Sequence, residues 1–248
     1  MYRILYYTDR GLRNYQQDCL YIDGKVVQSE SMGSPEYTEK DKDDILVAIC
    51  DGMGGLSSGD IASRSVCESL GKLKIPFSVE GVYKALYRIQ LDFMKLNIFN
   101  SGTTVAGVYM NGSKSIIFNA GDSRVYKITD REIIYLSHDH SYVQQLVDKG
   151  IISYREAFYS PYRHYVEFGI GDIFMEDWER GVKPYIKNDY LEKDQFYFIC
   201  TDGVNDTLKD EEIFQILHPD PFKNAEDLIK ELDRRKEDNY SFIILSYS

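Results

Sequence analysis

"LVAICDGMGG", residues 46–55, places one carboxylate, Asp51, at the end of a nearly continuous apolar run and follows it with glycines. An apolar run of this length, closed by turn-type residues, predicts a strand buried on both faces. The device recurs in "FYFICTDGVND", residues 196–206, where Asp202-Gly203 ends a second apolar run. Two readings are open. Asp-Gly is common turn chemistry. Alternatively, both acids are held rigidly because they meet at a cation, and the bare backbone of Gly52 brings its carbonyl there as well.

Outward from this strand, residues 1–27 predict two short strands, "YRILYYT" and "CLYIDGKVV", around a polar turn, and residues 28–44 predict a charged loop. From Gly59 the spacing turns helical: Ala62, Val66, Leu70 and Leu73 share a face, with Ser57 or Ser58 as N-cap. Val82, Leu86, Ile89, Phe93 and Leu96 predict a second amphipathic helix. A strand meander follows. "TTVAGVYM" and "KSIIFNA" flank Asn111-Gly112, a hairpin signal, and "RVYKI" and "EIIYLS" flank Thr129-Asp130-Arg131. Residues 139–149 read as a helix, and 150–190 as irregular and rich in Tyr and Gly. "QFYFIC" reads as a strand, 210–217 and 224–235 as helices, and "SFIILSY" as the closing strand. Antiparallel strands with inserted amphipathic helices predict an α+β fold, a β-sandwich covered by helices. The 248 residues contain no interdomain linker, so a single domain over 1–248 is expected.

A net charge of −11 argues against nucleic-acid or anionic-membrane partners. No apolar run approaches 18 residues and no long apolar stretch follows Met1, so a cytoplasmic protein is expected. The cysteines, Cys19, Cys50, Cys67 and Cys200, lack close metal-type spacing, and none begins the Cys-x5-Arg loop of thiolate phosphatases. The "SHDH" histidines His138 and His140 read as structural, and His164 as a surface residue. The 21 tyrosines read as core and strand formers rather than a base-stacking platform.

The acids beside strand ends are Asp18, Asp51, Asp122, Asp202, Asp206 and Asp238. If those ends meet on one rim, their like charges need compensation. Hard divalent cations supply it, since Mg²⁺ and Mn²⁺ prefer carboxylate, carbonyl and water oxygens. A pair of such ions can activate water for displacement at phosphorus.

Six stretches, "DGMGG", "SGTTVAGVY", "FNAGDSRVYKI", "LSHDHSYVQQLVDKG", "TDGVND" and "EDNYSFIIL", fall in the order and spacing of the bacterial metal-dependent protein phosphatases, the PPM or type 2C family. "TDRGLRNYQQD" resembles that family's opening motif, an Arg five residues before an acid, and the resemblance runs from about Thr8 to Leu245. It implies a central antiparallel β-sandwich flanked by helix pairs, with a flap at about 150–190. It also implies hydrolysis of phosphoserine and phosphothreonine by a water activated between two Mn²⁺ or Mg²⁺ ions. By resemblance, Asp51 bridges the two metals and Gly52 gives one of them its carbonyl. Asp202 and Asp238 hold the other, and Asp18 is a ligand directly or through water. Asp122 and Asp206 hold a third, weaker ion, and Arg13 binds phosphate, as its planar fork suits. The implied partners are phosphoproteins, a bacterial Ser/Thr kinase or its substrates.

Four positions depart from the family pattern. Gln16 stands for a usual Asn, and Met53 for the His of animal members. In the flap, Ser160 stands for a usual His and Phe168 for a usual Arg. Two other functions stay open on these grounds: a small-molecule phosphoesterase using the same centre, and a non-catalytic binding module derived from a phosphatase.

Overall fold

The computed structural model describes residues 1–54, 58–235 and 237–248. The chain begins with β1 (Tyr2–Asp9), β2 (Asp18–Ile22), β3 (Lys25–Val27), β4 (Glu36–Lys40) and β5 (Asp44–Gly54). Two helices follow, α1 (Gly59–Lys72) and α2 (Val79–Met94). The meander comprises β6 (Ser101–Thr103), β7 (Val105–Asn111), β8 (Lys114–Ala120), β9 (Arg124–Ile128) and β10 (Ile133–Tyr135). The flap region carries α3 (Tyr142–Asp148), α4 (Tyr154–Phe158), β11 (Ile170–Gly171), α5 (Met175–Glu179) and β12 (Tyr185–Tyr190). The last part holds β13 (Phe196–Cys200), α6 (Asp202–Asn205), α7 (Asp210–Leu217), α8 (Pro221–Arg235) and β14 (Tyr240–Tyr247).

The strands form two antiparallel sheets. One runs β10-β9-β13-β14-β1-β4. The other runs β11-β6-β5-β7-β8-β12, with β2 pairing β5 and β3 pairing β2. The period-two alternation of β5 explains its unbroken apolar run. Ile45, Val47 and Ile49 enter the core between the sheets, while Leu46, Ala48 and Cys50 face Ala62, Val66, Leu86 and Phe93 of α1 and α2. On the far side, Ile213, Leu217, Leu228 and Leu232 of α7 and α8 join the core cluster of the first sheet. The layers are therefore helix pair, sheet, sheet, helix pair, as expected. No helix among the described residues is long and apolar enough to cross a membrane.

Several boundaries differ from expectation for physical reasons. β4 lies inside the expected loop 28–44 and pairs with the edge of β1, Tyr2 opposite Lys40 and Tyr6 opposite Glu36. Its sequence, Glu-Tyr-Thr-Glu-Lys, is that of a charged edge strand, which discourages further pairing but hides the strand from an apolar-pattern search. β12 is masked in the same way inside the supposedly irregular 150–190 and pairs with β8. The second amphipathic helix stops at Met94, leaving Leu96 exposed beyond it. Ser58 occupies the N-cap position of α1 without a side-chain cap bond; Ser57 lies outside the described residues. The Asn111-Gly112 hairpin forms as expected, with Gly112 at φ +58°.

Neither Asp-Gly pair makes a turn. β5 continues through Asp51-Gly52 to pair with β6, and Asp202-Gly203 opens α6. Both glycines are needed for close approach instead. A Cβ on Gly52 would sit 2.0 Å from the Gly59 carbonyl oxygen, and one on Gly203 would sit 1.9 Å from that of Asn239. The turn reading is thus set aside, and what remains is two acids on backbones packed too tightly for side chains.

Candidate metal centre

Asp18 and Asp51 are cross-strand partners in the β2–β5 register. Both therefore point to the same face, the one that Leu20, Val47 and Ile49 turn toward the inter-sheet core. The Asp51 backbone is fixed at both ends. Its N–H donates to Thr104 Oγ1 at 3.0 Å, and its carbonyl accepts from Thr103 Oγ1 at 2.8 Å and from the Thr104 N–H at 2.9 Å. Asp18 is fully buried. Its Oδ2 accepts from Ser241 Oγ at 2.6 Å and Thr201 Oγ1 at 3.0 Å, while its Oδ1 has no partner among the described residues. The Asp18 N–H donates to Gln16 Oε1 at 2.9 Å, and Gln16 Nε2 donates to Thr8 Oγ1 at 2.8 Å. The departure at Gln16 is therefore a working strut for the acid that follows it.

The opposite wall comes from the first sheet. Asp202 lies one residue past Thr201, whose N–H donates to Ser241 O at 3.1 Å. Asp238 precedes β14, and its carboxylate takes Arg13 Nη2 at 2.5 Å. Gly11, at φ +60°, allows this approach, because a Cβ there would collide with the Asp238 carbonyl oxygen at 2.0 Å. Asn239 ties the two loops, donating to Arg10 O and Tyr15 O and accepting from the Gln17 N–H. Asp122 follows Gly121, whose φ of +111° and contact with Thr104 exclude a larger residue. Asp122 does not pair with Arg124. That guanidinium instead grips Asp139 at 2.7 Å.

Burial and mutual repulsion push these acids in one direction. Burial, with Asp202 and Asp238 nearby, raises the Asp18 carboxyl to about 8. Asp51 is held well above the usual range by burial, then by Asp202 and Asp18. Asp122 is raised by burial, then by Asp202 and Asp139. Asp202 is raised by burial, partly offset by His164. An all-oxygen donor set, an orphaned buried Asp18 oxygen and carboxylates that raise one another's pKa fit hard divalent cations.

The structure thus brings Asp18, Asp51, Asp122, Asp202 and Asp238 together, with Arg13 on Asp238. Asp206 caps α6 one turn from Asp202, its N–H donating to Asp202 O at 2.7 Å. Two flap residues reach it that the sequence did not single out as site residues: Arg163 Nε at 3.0 Å and His164 Nδ1 at 2.9 Å from Asp206 Oδ2. His164 is thus partly exposed, as expected, but it is engaged. Its ligating nitrogen and oxygens of Asp202 and Asp206 lie within 4.8 Å of one another. The two acids raise His164 to about 10, so it sits there as a cation and must lose a proton before it could ligate a metal. No spacing rule links a flap His to acids some forty residues later, so only folding reveals the contact. His138 and His140 are structural: His138 Nε2 meets Asp148 at 2.9 Å and His140 Nε2 meets Lys183 O at 3.2 Å. Phe168 is buried against Trp178 and His140, away from the flap surface.

No family model matches the chain. The serine/threonine protein phosphatase PstP of Mycobacterium tuberculosis is 28% identical over 197 residues, 75% of this chain but 37% of PstP. The chain therefore matches little more than a third of that relative's length. A solved catalytic domain of PstP in complex with two manganese ions superposes with a TM-score of 0.75 at 24% identity, covering 98% of each chain, which shows the fold. A phosphatase 2C-type protein of Streptococcus pyogenes is 31% identical over 183 residues, covering 69% of this chain and 72% of the relative. Identity at that level, over more than two thirds of both sequences, makes this chain a member of the protein phosphatase 2C-type family.

Proposed function

We propose that this protein hydrolyses phosphoserine and phosphothreonine in proteins with the aid of Mn²⁺ or Mg²⁺. The observation that carries the proposal is the convergence of Asp18, Asp51, Asp122 and Asp202, from both sheets, on one rim where burial and neighbouring acids raise the pKa of each. That arrangement disfavours the charged forms unless cations are present. Divalent cations, when bound, neutralise phosphate charge and acidify water. In the proposed assignment Asp51 and the Gly52 carbonyl, together with Asp202 and Asp238, would hold the two core ions, Asp51 serving both. Asp18 contributes directly or through water, and Asp122 and Asp206 serve a third, weaker ion.

The chain's own residues then position the substrate. Arg13 spends one nitrogen on Asp238, and its side chain is 60% exposed. The rest of its fork faces solvent and can hold two phosphate oxygens. Thr201 and Ser241 fix the Asp18 carboxylate, and Thr103 and Thr104 fix the Asp51 backbone, so the acids need little reorganisation when charge develops. The substrates are proposed to be targets of a bacterial Ser/Thr kinase, or the kinase itself. A cytoplasmic location is supported by four buried, unpaired thiols.

The test is phosphate release from a phosphothreonine peptide, from p-nitrophenyl phosphate and from a sugar phosphate, with Mn²⁺ and with chelator. Metal-dependent release from the peptide is expected. Preference for the sugar phosphate would favour a small-molecule phosphoesterase, and no release from any of the three would leave a binding module.

A further inference from the structure

Beside the acid cluster lies a cavity of about 770 Å³ whose α4 wall has no part in the proposed hydrolysis. α4 and the residue after it form one wall, through Tyr154, Arg155, Phe158 and Tyr159; Asn205, Asp206 and Lys209 form the other. Asp122 and Asp206 line it too, so it opens directly on the proposed metal centre. Asp206 is one helical turn from Asp202, roughly 6 Å along the axis. An extended peptide advances about 3.3 Å per residue. A side chain two positions from a phosphoresidue held at Asp51 and Asp202 therefore reaches the cavity.

Most charges lining the cavity are already committed. Arg124 is paired with Asp139 at 2.7 Å. Asp210 accepts from Tyr126 Oη at 2.9 Å. Asp206 takes Arg163 and His164. Two cations remain. Arg155 is exposed and has no carboxylate within ion-pair distance among the described residues. The Lys209 ammonium lies 5.2 Å from the Tyr159 ring centre and 5.7 Å from that of Phe158, again with no acid in range among the described residues. Aromatic faces orient an ammonium without neutralising it, so its charge stays available. Two lining acids, Glu211 and Asp122, also lack a described partner, and Asp122 is assigned above to the third ion. In a chain of net charge −11, this cavity at the catalytic rim still offers an anion two cations, Arg155 and Lys209, that no carboxylate pairs among the described residues. The aromatic rim, Tyr154 and Tyr159 at about 60% exposure, has the Tyr and Arg composition of protein-binding surfaces.

We infer that this cavity is a subsite for an anionic side chain close in sequence to the phosphoresidue, held by Arg155 and Lys209. The inference rests on the phosphatase reading above and names the substrate class within it. The ligand chemistry is a carboxylate or a second phosphate.

The test compares kcat/KM on phosphothreonine peptides that differ only in the two residues on each side: all Glu, all Gln, all Lys, or Gln with one further phosphothreonine. p-Nitrophenyl phosphate, too small to reach the cavity, is the control. The wild-type protein should favour the Glu peptide over the Lys peptide by about tenfold, the effect of one charge-assisted contact. Arg155→Gln with Lys209→Gln should reduce this to twofold or less, Lys209→Glu should invert it, and all variants should keep control activity within twofold. Arg155→Gln alone, which removes no described contact, should weaken the preference at an unchanged melting temperature. A larger gain from the second phosphate than from Glu identifies phosphate as the natural anion; the reverse identifies a carboxylate. Equal rates on Glu and Lys peptides, or a preference that survives the double variant, would overturn the subsite. Failure of the wild-type protein on the control as well would instead overturn the phosphatase reading.

Discussion

The two ends of the acid cluster are built on opposite electrostatic plans. At the sandwich rim, the Asp18 carboxylate accepts from Ser241 and Thr201 and the Asp51 backbone is held by Thr103 and Thr104, neutral groups that fix geometry and leave net negative charge. At the flap, Asp206 meets two of the chain's own cations, Arg163 and His164. The contrast separates Asp18 and Asp51, left open to external cations, from Asp206, which already has internal ones, with Asp238 between the two plans because it takes Arg13. It also shows why proximity of carboxylates alone does not define a metal centre: the bracing atoms decide whether the charge is left unanswered.

The comparison breaks most decisively at Asp202, the acid that both ends share. Asp202→Asn should lower Mn²⁺-dependent peptide hydrolysis by more than about a hundredfold. It should leave the melting temperature of the metal-free protein unchanged or higher, because a repulsive charge is removed. Asp139→Asn is the matched control. Asp139 is buried on Arg124, and breaking such a pair should cost about 3 kcal/mol of stability. Activity and unfolding curves on both variants check this. If Asp202→Asn unfolds as readily as Asp139→Asn, Asp202 is a structural acid.

A second, intermediate effect follows from pH. Asp18 rises from 3.8 to about 8 on folding, so its contribution to stability is complete below pH 4 and is lost as pH rises toward 8. The metal-free protein should therefore melt at lower temperature at pH 8 than at pH 5. Mg²⁺, which needs the deprotonated acids, should raise the melting temperature more at pH 8. Thermal scans with and without Mg²⁺ at both pH values measure it; an equal or smaller metal shift at pH 8 contradicts the assignment of a cation to this rim.

The smallest effect is expected at the flap. Arg163→Gln with His164→Gln removes the internal cations from Asp206. Partly exposed ion pairs are weak, so affinity for the weakest of the bound cations should rise only about threefold. Calorimetric titration with Mn²⁺ reads it, and weaker binding in the double variant would mean that His164 is a ligand rather than a competitor.

The layer architecture was legible because it rests on local periodicity: the 3.6-residue spacing from Ala62 to Phe93, the hairpin at Asn111-Gly112 and the apolar runs at 45–50 and 196–200 each report which face is buried. β4 and β12 were missed because edge strands carry charge and their partners lie far away in the chain. The candidate acids were readable for a related reason. Asp51, Asp122 and Asp202 stand where an apolar run stops and Asp18 and Asp238 where one begins, and the family motifs preserve that order.

Sequence by itself named the acids Asp18, Asp51, Asp122, Asp202 and Asp238 that the fold brings to one rim, and the glycines beside Asp51 and Asp202. Tertiary structure alone decided what those glycines do, because Gly52 and Gly203 answer to backbone atoms at Gly59 and Asn239 rather than to a turn. It alone placed Gln16 under Asp18, paired Arg124 with Asp139, and carried Arg163 and His164 across to Asp206. The physical reason is range: propensity and burial are written in neighbours three or four residues apart, whereas the charge balance of a site is a sum over side chains that only the folded chain brings within a few ångströms.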